Sequence, residues 1–269
     1  MSAVKALSIA GSDSGGGAGI QADLKTFQEL EVYGMSAVTA ITAQNTLGVQ
    51  GVYPMAVDAI VHQLQSIADD LTPQALKTGM LFSGELITAV ANTIKKYSWK
   101  NIVVDPVMVA KGGASLLQEE AIDAMKKELI PLATVITPNI PEAEVLTGLR
   151  INSMEDRKKA ATLLRNMGAH FIVIKGGHGE EETASDLVFD GTRYQIISSP
   201  RIQTKNTHGT GCTFSAAITA HLAKGIEPIE AIKLAKDFIH HAIQYDLKIG
   251  SGHGPTNHFA FKKYGVSTK

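Results

Sequence analysis

The chain has 269 residues, of which 44% are hydrophobic and 19% are charged, and its formal net charge is −1 at pH 7. It is long enough to bury a sizeable core, and its near-neutral charge gives no electrostatic reason to expect nucleic acid or an anionic membrane as a partner. The single cysteine excludes an internal disulfide and a cysteine-cluster metal site. No signal-like segment and no apolar run of roughly 20 residues is present, so we expect a cytoplasmic protein.

Short apolar strands alternate with amphipathic helices along most of the chain. Strands are predicted at residues 4–10, 35–42, just before 77, and at 101–104, 134–137, 171–175, 184–189 and 193–197. Helices are predicted at residues 19–30, 57–71, 84–97, 119–129, 141–147, 154–167, 213–224 and 228–245. The pair Asp190-Gly191 predicts a β-hairpin between the last two strands. The pattern predicts an α/β fold: a doubly wound, mainly parallel sheet with helices on both faces, one edge hairpin, and a single domain over residues 1–269.

Polar or glycine-rich segments follow six of the predicted strands. These segments are residues 11–19, 44–45, 77–80, 105–108, 139–142 and 175–179. Ligands of open α/β sheets bind beyond the carboxyl ends of the strands. We therefore expect the six segments to share one rim that faces the loop before Cys212.

The stretch THGTGCTFSAA at residues 207–217 is predicted to be a loop that runs into a buried helix. Gly209 and Gly211 let backbone N–H groups point at one spot, and the helix start adds free donors and a positive dipole end. Such a place binds anions, phosphate above all. The same field predicts a lowered pKa for the thiol of Cys212. The alternative is a glycine turn before a core helix, with an inert cysteine.

The glycine-rich loop at residues 11–19 permits a dinucleotide-binding interpretation, but two features oppose it. That motif needs an acidic residue at the end of the second strand, where this chain has Gln44-Asn45. The lysine and serine or threonine of a P-loop are also missing. A small polar ligand fits the loop better, with Asp23 one turn into the following helix. The alternative for Asp23 is a solvated acid at a helix start.

Three charged residues at strand ends suit phosphate chemistry. Asp105 and Glu142 are oxygen ligands of the kind that holds Mg²⁺ together with substrate phosphates. Their alternative is a role as loop or helix caps. Lys175 ends an apolar strand and is placed to reach a phosphate, or else it snorkels to solvent. His253 and His258, in the C-terminal loop, are expected to be solvated.

Six motifs in order along the chain carry a resemblance to a known family. They are AGSDSGGGAGIQAD at 10–23, AQNTLGV at 43–49, KTGML at 77–81, VDPVMV at 104–109, TPNIPE at 137–142 and THGTGCTFSAA at 207–217. Together they resemble the ribokinase-like superfamily, and within it the bacterial hydroxymethylpyrimidine/phosphomethylpyrimidine kinases of thiamine biosynthesis.

The resemblance implies ATP-dependent, Mg²⁺-assisted phosphorylation of 4-amino-5-hydroxymethyl-2-methylpyrimidine and then of its monophosphate, by a homodimer. The implied substrate-binding residues are Gly11, Ala18, Asp23, Gln44, Met80 and Val107. The implied catalytic residues are Cys212, Gly209, Gly211 and Lys175. Lys175, Thr210 and Asn139 would contact the nucleotide, and Asp105 and Glu142 would hold the metal.

Cys212 departs from the wider superfamily, whose members usually carry an aspartate as general base at this place. A cysteine is typical of the pyrimidine kinases and of some similar pyridoxal kinases, so it leaves pyridoxal as the alternative substrate. Gln44 favours the pyrimidine, because the family uses this glutamine to hold the ring. Cys212 acts either as a thiolate base or only through its amide while its side chain fills space.

Overall fold

The computed structural model describes residues 3–108, 119–177 and 182–265, and within them nine strands form one sheet. The strands are β1 (Lys5–Asp13), β2 (Tyr33–Asn45), β3 (Gly48–Pro54), β4 (Ala75–Thr78), β5 (Ile102–Val104), β6 (Val135–Ile136), β7 (Phe171–Ile174), β8 (Thr183–Phe189) and β9 (Tyr194–Pro200). Their spatial order is β3-β2-β1-β4-β5-β6-β7-β8-β9. The six central strands pair in parallel, whereas β3 at one edge and the β8–β9 hairpin at the other are antiparallel. The predicted mainly parallel sheet with an edge hairpin is confirmed.

The helices lie on both faces of this sheet, as predicted. They are α1 (Gly19–Glu29), α2 (Val57–Asp70), α3 (Gly84–Lys96), α4 (Glu119–Ala124), α5 (Ile140–Thr147), α6 (Met154–Asn166), α7 (Thr210–Ala223), α8 (Pro228–Gln244) and α9 (Ala260–Tyr264). One core packs apolar residues of α2, α3 and α6 against the sheet, and a second core packs those of α1, α7 and α8 against its other face. Alternate residues of the central strands, such as Val103 and Val104, belong to opposite cores, because successive strand side chains point to opposite faces. None of the helices in the described ranges combines the length and apolarity needed to cross a bilayer.

Three elements differ from the sequence prediction. Strand β3 was missed, because it pairs only with β2 at the sheet edge and lacks a continuous buried face. The helix predicted over residues 119–129 is α-helical only to Ala124 and continues as a π-helical turn, Met125–Leu129. The short helix α9 was also not predicted. Residue 109 of the VDPVMV motif and residues 178–179 of the predicted rim lie outside the described residues.

Candidate active site

The six polar strand ends meet at one cavity of about 510 Å³. Each end contributes at least one lining residue, namely Gly11, Gln44, Met80, Asp105, Glu142 and Lys175. The start of α7 closes the opposite side with Gly209, Thr210, Gly211 and Cys212. Within the described residues, the predicted shared rim is therefore confirmed, and parallel strand polarity is its cause. Ala18, Val107 and Asn139 line the same cavity.

Gly209 brings the loop before α7 against the glycine-rich loop after β1. Its backbone is left-handed, with φ of 80°, and a Cβ at this position would collide with the carbonyl oxygen of Gly17. Both features require glycine. Gly211 lies on the cavity side, where an added Cβ would be 3.5 Å from Lys175 Nζ and 3.7 Å from Asp105 Oδ2. The amide end of α7 thus faces these charged groups across the cavity, as predicted.

Asp105 is buried directly after β5, and Lys175 and Ser215 are its closest side-chain donors. Lys175 Nζ lies 3.2 Å from its Oδ1, and Ser215 donates to its Oδ2 at 3.1 Å. Burial would raise the pKa of Asp105, but Lys175 and Lys77 together with these hydrogen bonds hold that pKa below its ordinary value. Conversely, burial alone would lower the pKa of Lys175, and Asp105 and Glu142 raise it. The site therefore contains a fixed carboxylate beside a fixed ammonium group.

Glu142 closes the start of α5 through a capping box. The Asn139 backbone N–H donates to Glu142 Oε2, and the Glu142 N–H donates to Asn139 Oδ1, both at 2.8 Å. Burial, opposed by Lys175 and reinforced by Asp105, raises the pKa of Glu142 to about 7. The capping alternative raised from the sequence thus holds for Glu142, and the carboxylate still lines the cavity. The two assignments are compatible.

The carboxylates suit a magnesium ion that keeps other ligands. No three His, Cys, Asp or Glu side chains in the described ranges come together as a metal site. Asp105 and Glu142 supply hard oxygen donors at one cavity wall. Mg²⁺ is commonly bound by one or two carboxylates plus phosphate oxygens and waters. The donor set fits a metal that arrives with a phosphate ligand.

Cys212 lines the cavity, but its acidity is the opposite of the prediction. Its sulfur accepts a hydrogen bond from the backbone N–H of Gly19 at the start of α1. Burial raises the pKa of the thiol to about 11, and the opposing effects of Lys77 and the Gly19 hydrogen bond are smaller. The predicted lowering of this pKa is wrong, because desolvation outweighs the field of the α7 start.

Asp23 does not line the cavity, which corrects the expected direct contact with a substrate ring. Its carboxylate is fully buried and accepts hydrogen bonds from Lys77 Nζ at 3.0 Å and Ser8 Oγ at 2.5 Å. It is therefore also not the solvated helix-start acid of the alternative. Burial raises the pKa of Asp23 despite the lowering effect of Lys77. Both charges of this ion pair are shielded from solvent, with 0% side-chain exposure.

Asp13 organises the glycine-rich loop, a role that the sequence analysis did not assign. Its carboxylate accepts the backbone N–H groups of Gly15, Gly17 and Ala18 at 2.8, 3.0 and 2.8 Å. His208 Nε2 lies 2.8 Å from the same carboxylate. These loop amides are therefore already occupied by a side chain. An aspartate two residues before a glycine run was the available signal.

The cavity is also lined by residues that no motif indicated. Ile202, Ile239 and Ile243 supply an apolar wall. His240 and the buried pair Lys236–Asp186 line the cavity too, with 2.7 Å between Lys236 Nζ and Asp186 Oδ2. In the sequence, the α8 members of this wall are part of an ordinary amphipathic pattern. The pattern does not distinguish a ligand wall from core packing.

His258 is buried, which corrects its predicted solvation, whereas His253 is exposed. His258 Nε2 lies 3.0 Å from Thr213 Oγ1 in the first turn of α7. The loop that contains His258 also supports the segment before α7, because His208 pairs with Pro255 in a parallel bridge. The C-terminal loop is therefore part of the site's scaffold.

A family model for phosphomethylpyrimidine kinase matches residues 13–257. The chain belongs to the phosphomethylpyrimidine kinase family. It is 57% identical over 269 residues to the hydroxymethylpyrimidine/phosphomethylpyrimidine kinase of Bacillus subtilis (strain 168), covering 100% of this chain and 99% of that relative. The family predicted from the six motifs is confirmed.

Solved structures related to this family share the fold at high similarity. An ADP complex of Bacillus subtilis pyridoxal kinase superimposes with a TM-score of 0.91 at 48% identity, covering 97% of this chain and 99% of that chain. The pyridoxal kinase from Staphylococcus aureus in complex with AMP-PCP and pyridoxal gives a TM-score of 0.91 at 41% identity, covering 98% and 96%. The fold of this chain is therefore shared with solved structures of pyridoxal kinases.

Proposed function

We propose that this protein is an ATP-dependent kinase that phosphorylates 4-amino-5-hydroxymethyl-2-methylpyrimidine and then its monophosphate, acting as a single kinase domain. The observation that carries the proposal is the placement of Gly211 opposite Lys175 and Asp105 in one cavity. Phosphoryl transfer requires mainly positioning and stabilisation of developing charge. A helix start facing a lysine supplies the charge stabilisation.

The cavity divides into two ends on either side of this charged centre. The alcohol end consists of Gly11, Ala18, Gln44, Met80 and Val107, and the nucleotide end consists of Ile202, Ile239, His240 and Ile243. Amides of residues 209–212 and the ammonium group of Lys175 would hold the transferred phosphate between them. Thr210 and Asn139 line the cavity beside that position and are proposed nucleotide contacts.

Asp105 and Glu142 would hold Mg²⁺, largely through water. The ion, when bound, neutralises charge on the phosphate oxygens. Lys175 keeps Asp105 ionised in the absence of the ion. Glu142, with its pKa of about 7, is ready to lose its proton to a bound cation near neutral pH.

Cys212 is the proposed acceptor of the hydroxyl proton, and its raised pKa restricts how it acts. At neutral pH the thiol is almost entirely protonated, because its pKa is about 11. The reactive thiolate is then a minor form whose population rises with pH. The alternative is that the amide of Cys212 binds phosphate and the side chain only fills space.

Initial rates test the substrate assignment. The purified protein with ATP and Mg²⁺ should phosphorylate the pyrimidine alcohol and its monophosphate with a higher kcat/KM than pyridoxal. A clear preference for pyridoxal would change the assigned substrate to pyridoxal and leave the kinase assignment intact. No turnover of any of these alcohols would overturn the kinase proposal itself.

We further propose a homodimer located in the cytoplasm. Ile41, Leu47 and Tyr53 are exposed on the β2–β3 edge of the sheet, and an apolar surface of this kind favours self-association. Light scattering after size exclusion should give twice the chain mass of 28.6 kDa. A monomeric mass at micromolar concentration would refute the dimer.

A further inference from the structure

A chain of four polar side chains lies at the alcohol end of the cavity, from Asp13 through His208 and Gln44 to Thr42. His208 Nε2 is 2.8 Å from Asp13 Oδ2 and 3.2 Å from the carboxamide atom placed as Gln44 Nε2. The carboxamide atom placed as Gln44 Oε1 is 3.1 Å from Thr42 Oγ1. The four residues come from the end of β1, from the end of β2 and from the segment before α7. Gln44 is thus fixed from both sides.

The buried carboxylate of Asp13, at one end of this set of four side chains, determines the tautomer of His208. Asp13 is buried and accepts three backbone N–H groups in addition to His208. Burial would raise the pKa of Asp13, but the hydrogen bonds from His208 and the loop amides hold that pKa below its ordinary value. A carboxylate can only accept, so His208 Nε2 carries a proton and donates it.

The proton on His208 in turn determines the orientation of the Gln44 carboxamide. A protonated Nε2 cannot accept from an NH₂ group, so the carboxamide is flipped relative to its placement in the structure and its oxygen belongs on the His208 side. The single Nε2 proton is then shared between Asp13 and this oxygen. Thr42 leads independently to the same orientation, because its hydroxyl donates to the carbonyl oxygen of Ser12 at 2.7 Å. Thr42 can therefore only accept from Gln44, which places the NH₂ group on the Thr42 side.

We propose that His208, held by Asp13, is a specificity-determining positioning residue that fixes the carboxamide of Gln44 in one orientation. One N–H and one oxygen lone pair of the carboxamide then remain for a ligand in the cavity. That pair complements a heteroaromatic edge with an amino donor beside a ring-nitrogen acceptor, as an aminopyrimidine has. The inference rests on the proposed function, because it takes Gln44 to contact the substrate ring.

Two substitutions of similar size test the proposal through the KM for each substrate. His208→Met removes the donor and should raise the KM for the pyrimidine alcohol about tenfold or more, the typical cost of one lost buried hydrogen bond. The KM for ATP should change less than twofold. His208→Gln keeps an N–H donor on a similar reach and should restore most of the lost affinity. Equal losses for both substrates, or no rescue by His208→Gln, would overturn the proposal.

A double-mutant cycle shows whether His208 acts through Gln44. In a Gln44→Leu background, His208→Met should have no further effect on the KM for the alcohol, and an undiminished effect would overturn the proposal. If His208→Met does not fold, Thr42→Val disturbs the other end of the carboxamide. It should raise the same KM several-fold, and an unchanged KM would count against the proposal.

The test remains separable from the proposed function. Should pyridoxal be the preferred alcohol, the substrate assignment fails while the coupling of His208 to Gln44 is still measured with pyridoxal. If the double-mutant cycle shows no coupling between His208 and Gln44 with either alcohol, the positioning role of His208 is rejected, even where the pyrimidine kinase activity is present.

Discussion

Lys175 Nζ lies 3.2 Å from Asp105 Oδ1, and both groups face Gly211 at the start of α7. Lys175 follows β7 and Asp105 follows β5, with β6 between them in the sheet. An ion pair between these two side chains therefore spans the carboxyl ends of three strands. It sets a positive and a negative group in front of one helix start.

Gly211→Ala should inactivate the protein without unfolding it. The added methyl would lie 3.5 Å from Lys175 Nζ and 3.7 Å from Asp105 Oδ2, in the space proposed for phosphate. Gly211 lies within α7 and has no positive φ, so alanine suits the backbone and should leave the melting temperature unchanged or higher. We expect kcat/KM to fall about 10²-fold or more, comparable to the loss of an oxyanion donor.

Gly177→Ala is the matched control for Gly211→Ala. An added Cβ at Gly177 meets no atom within 4 Å, although the residue also lines the cavity. Its activity should stay near that of the wild type. Full activity in Gly211→Ala would show that phosphate does not bind at the start of α7.

Cys212 predicts an alkaline rise in activity. With a thiol pKa of about 11, the thiolate fraction grows about tenfold per pH unit through the neutral and mildly alkaline range. We expect kcat at saturating substrates to rise with pH from 8 to 10. This range lies above the titration of Glu142, whose pKa is about 7. Cys212→Ala should lower kcat by about 10²–10⁴ and remove this rise. Near wild-type rates in Cys212→Ala would leave only the space-filling role.

Glu142 predicts a trade-off between stability and metal use. Its pKa is about 7 in the folded protein against an ordinary value of 4.5, so the folded state retains the proton that the unfolded state releases. The stabilising contribution of this proton is complete below about pH 4.5 and is lost as pH rises through 7. Glu142→Gln keeps a side-chain acceptor for the capping box and should raise the free energy of unfolding at pH 8 by up to about 3 kcal/mol.

The stability gain of Glu142→Gln should disappear at pH 4.5, where the native carboxyl is also neutral. Urea titrations without nucleotide or metal at the two pH values measure it. The same variant should need several-fold more Mg²⁺ for half-maximal activity. A variant that is less stable at pH 8, or one that has an unchanged Mg²⁺ requirement, would contradict the assigned surroundings of this residue.

The Asp23–Lys77 pair predicts a large loss of stability on breaking it and a partial recovery on removing it. Both side chains are fully buried, so Lys77→Met leaves an uncompensated carboxylate and should cost about 3–5 kcal/mol. The double variant Asp23→Asn with Lys77→Met removes both charges and should regain part of that loss. Chemical denaturation of both single variants and of the double variant measures this difference, and additive losses would show that the two charges do not interact.

Much of the fold could be predicted because periodicity and turn chemistry are local. Asp190-Gly191 identified the β8–β9 hairpin, and the apolar strands between helices identified the parallel sheet. The shared rim followed from strand polarity alone. Strand β3 escaped prediction because its pairing with β2, not its own pattern, makes it a strand.

For the site residues that were predicted wrongly, the surroundings depend on how deeply each side chain is buried. The positions of Asp23 and Cys212 relative to helix starts were predicted correctly. The burial of Asp23 and the raised pKa of Cys212 were not, because desolvation depends on packing from elements distant in sequence. His258 was misjudged for the same reason, since its contact with Thr213 joins residues that are 45 positions apart. Asp13 and His208 required the two loops to meet before their link was visible.

Because of the strand order in the sheet, the two ends of the cavity come largely from different parts of the sequence. The proposed alcohol end comes mainly from residues numbered at or below Val107, with His208 as the exception, whereas the proposed nucleotide end comes from residues at or beyond Ile202. Chimeras that exchange the first strands and loops between kinases of this family should therefore transfer preference for the acceptor molecule while retaining the phosphate donor. Divergence of acceptor choice would then need changes mainly in the first half of the gene, together with position 208.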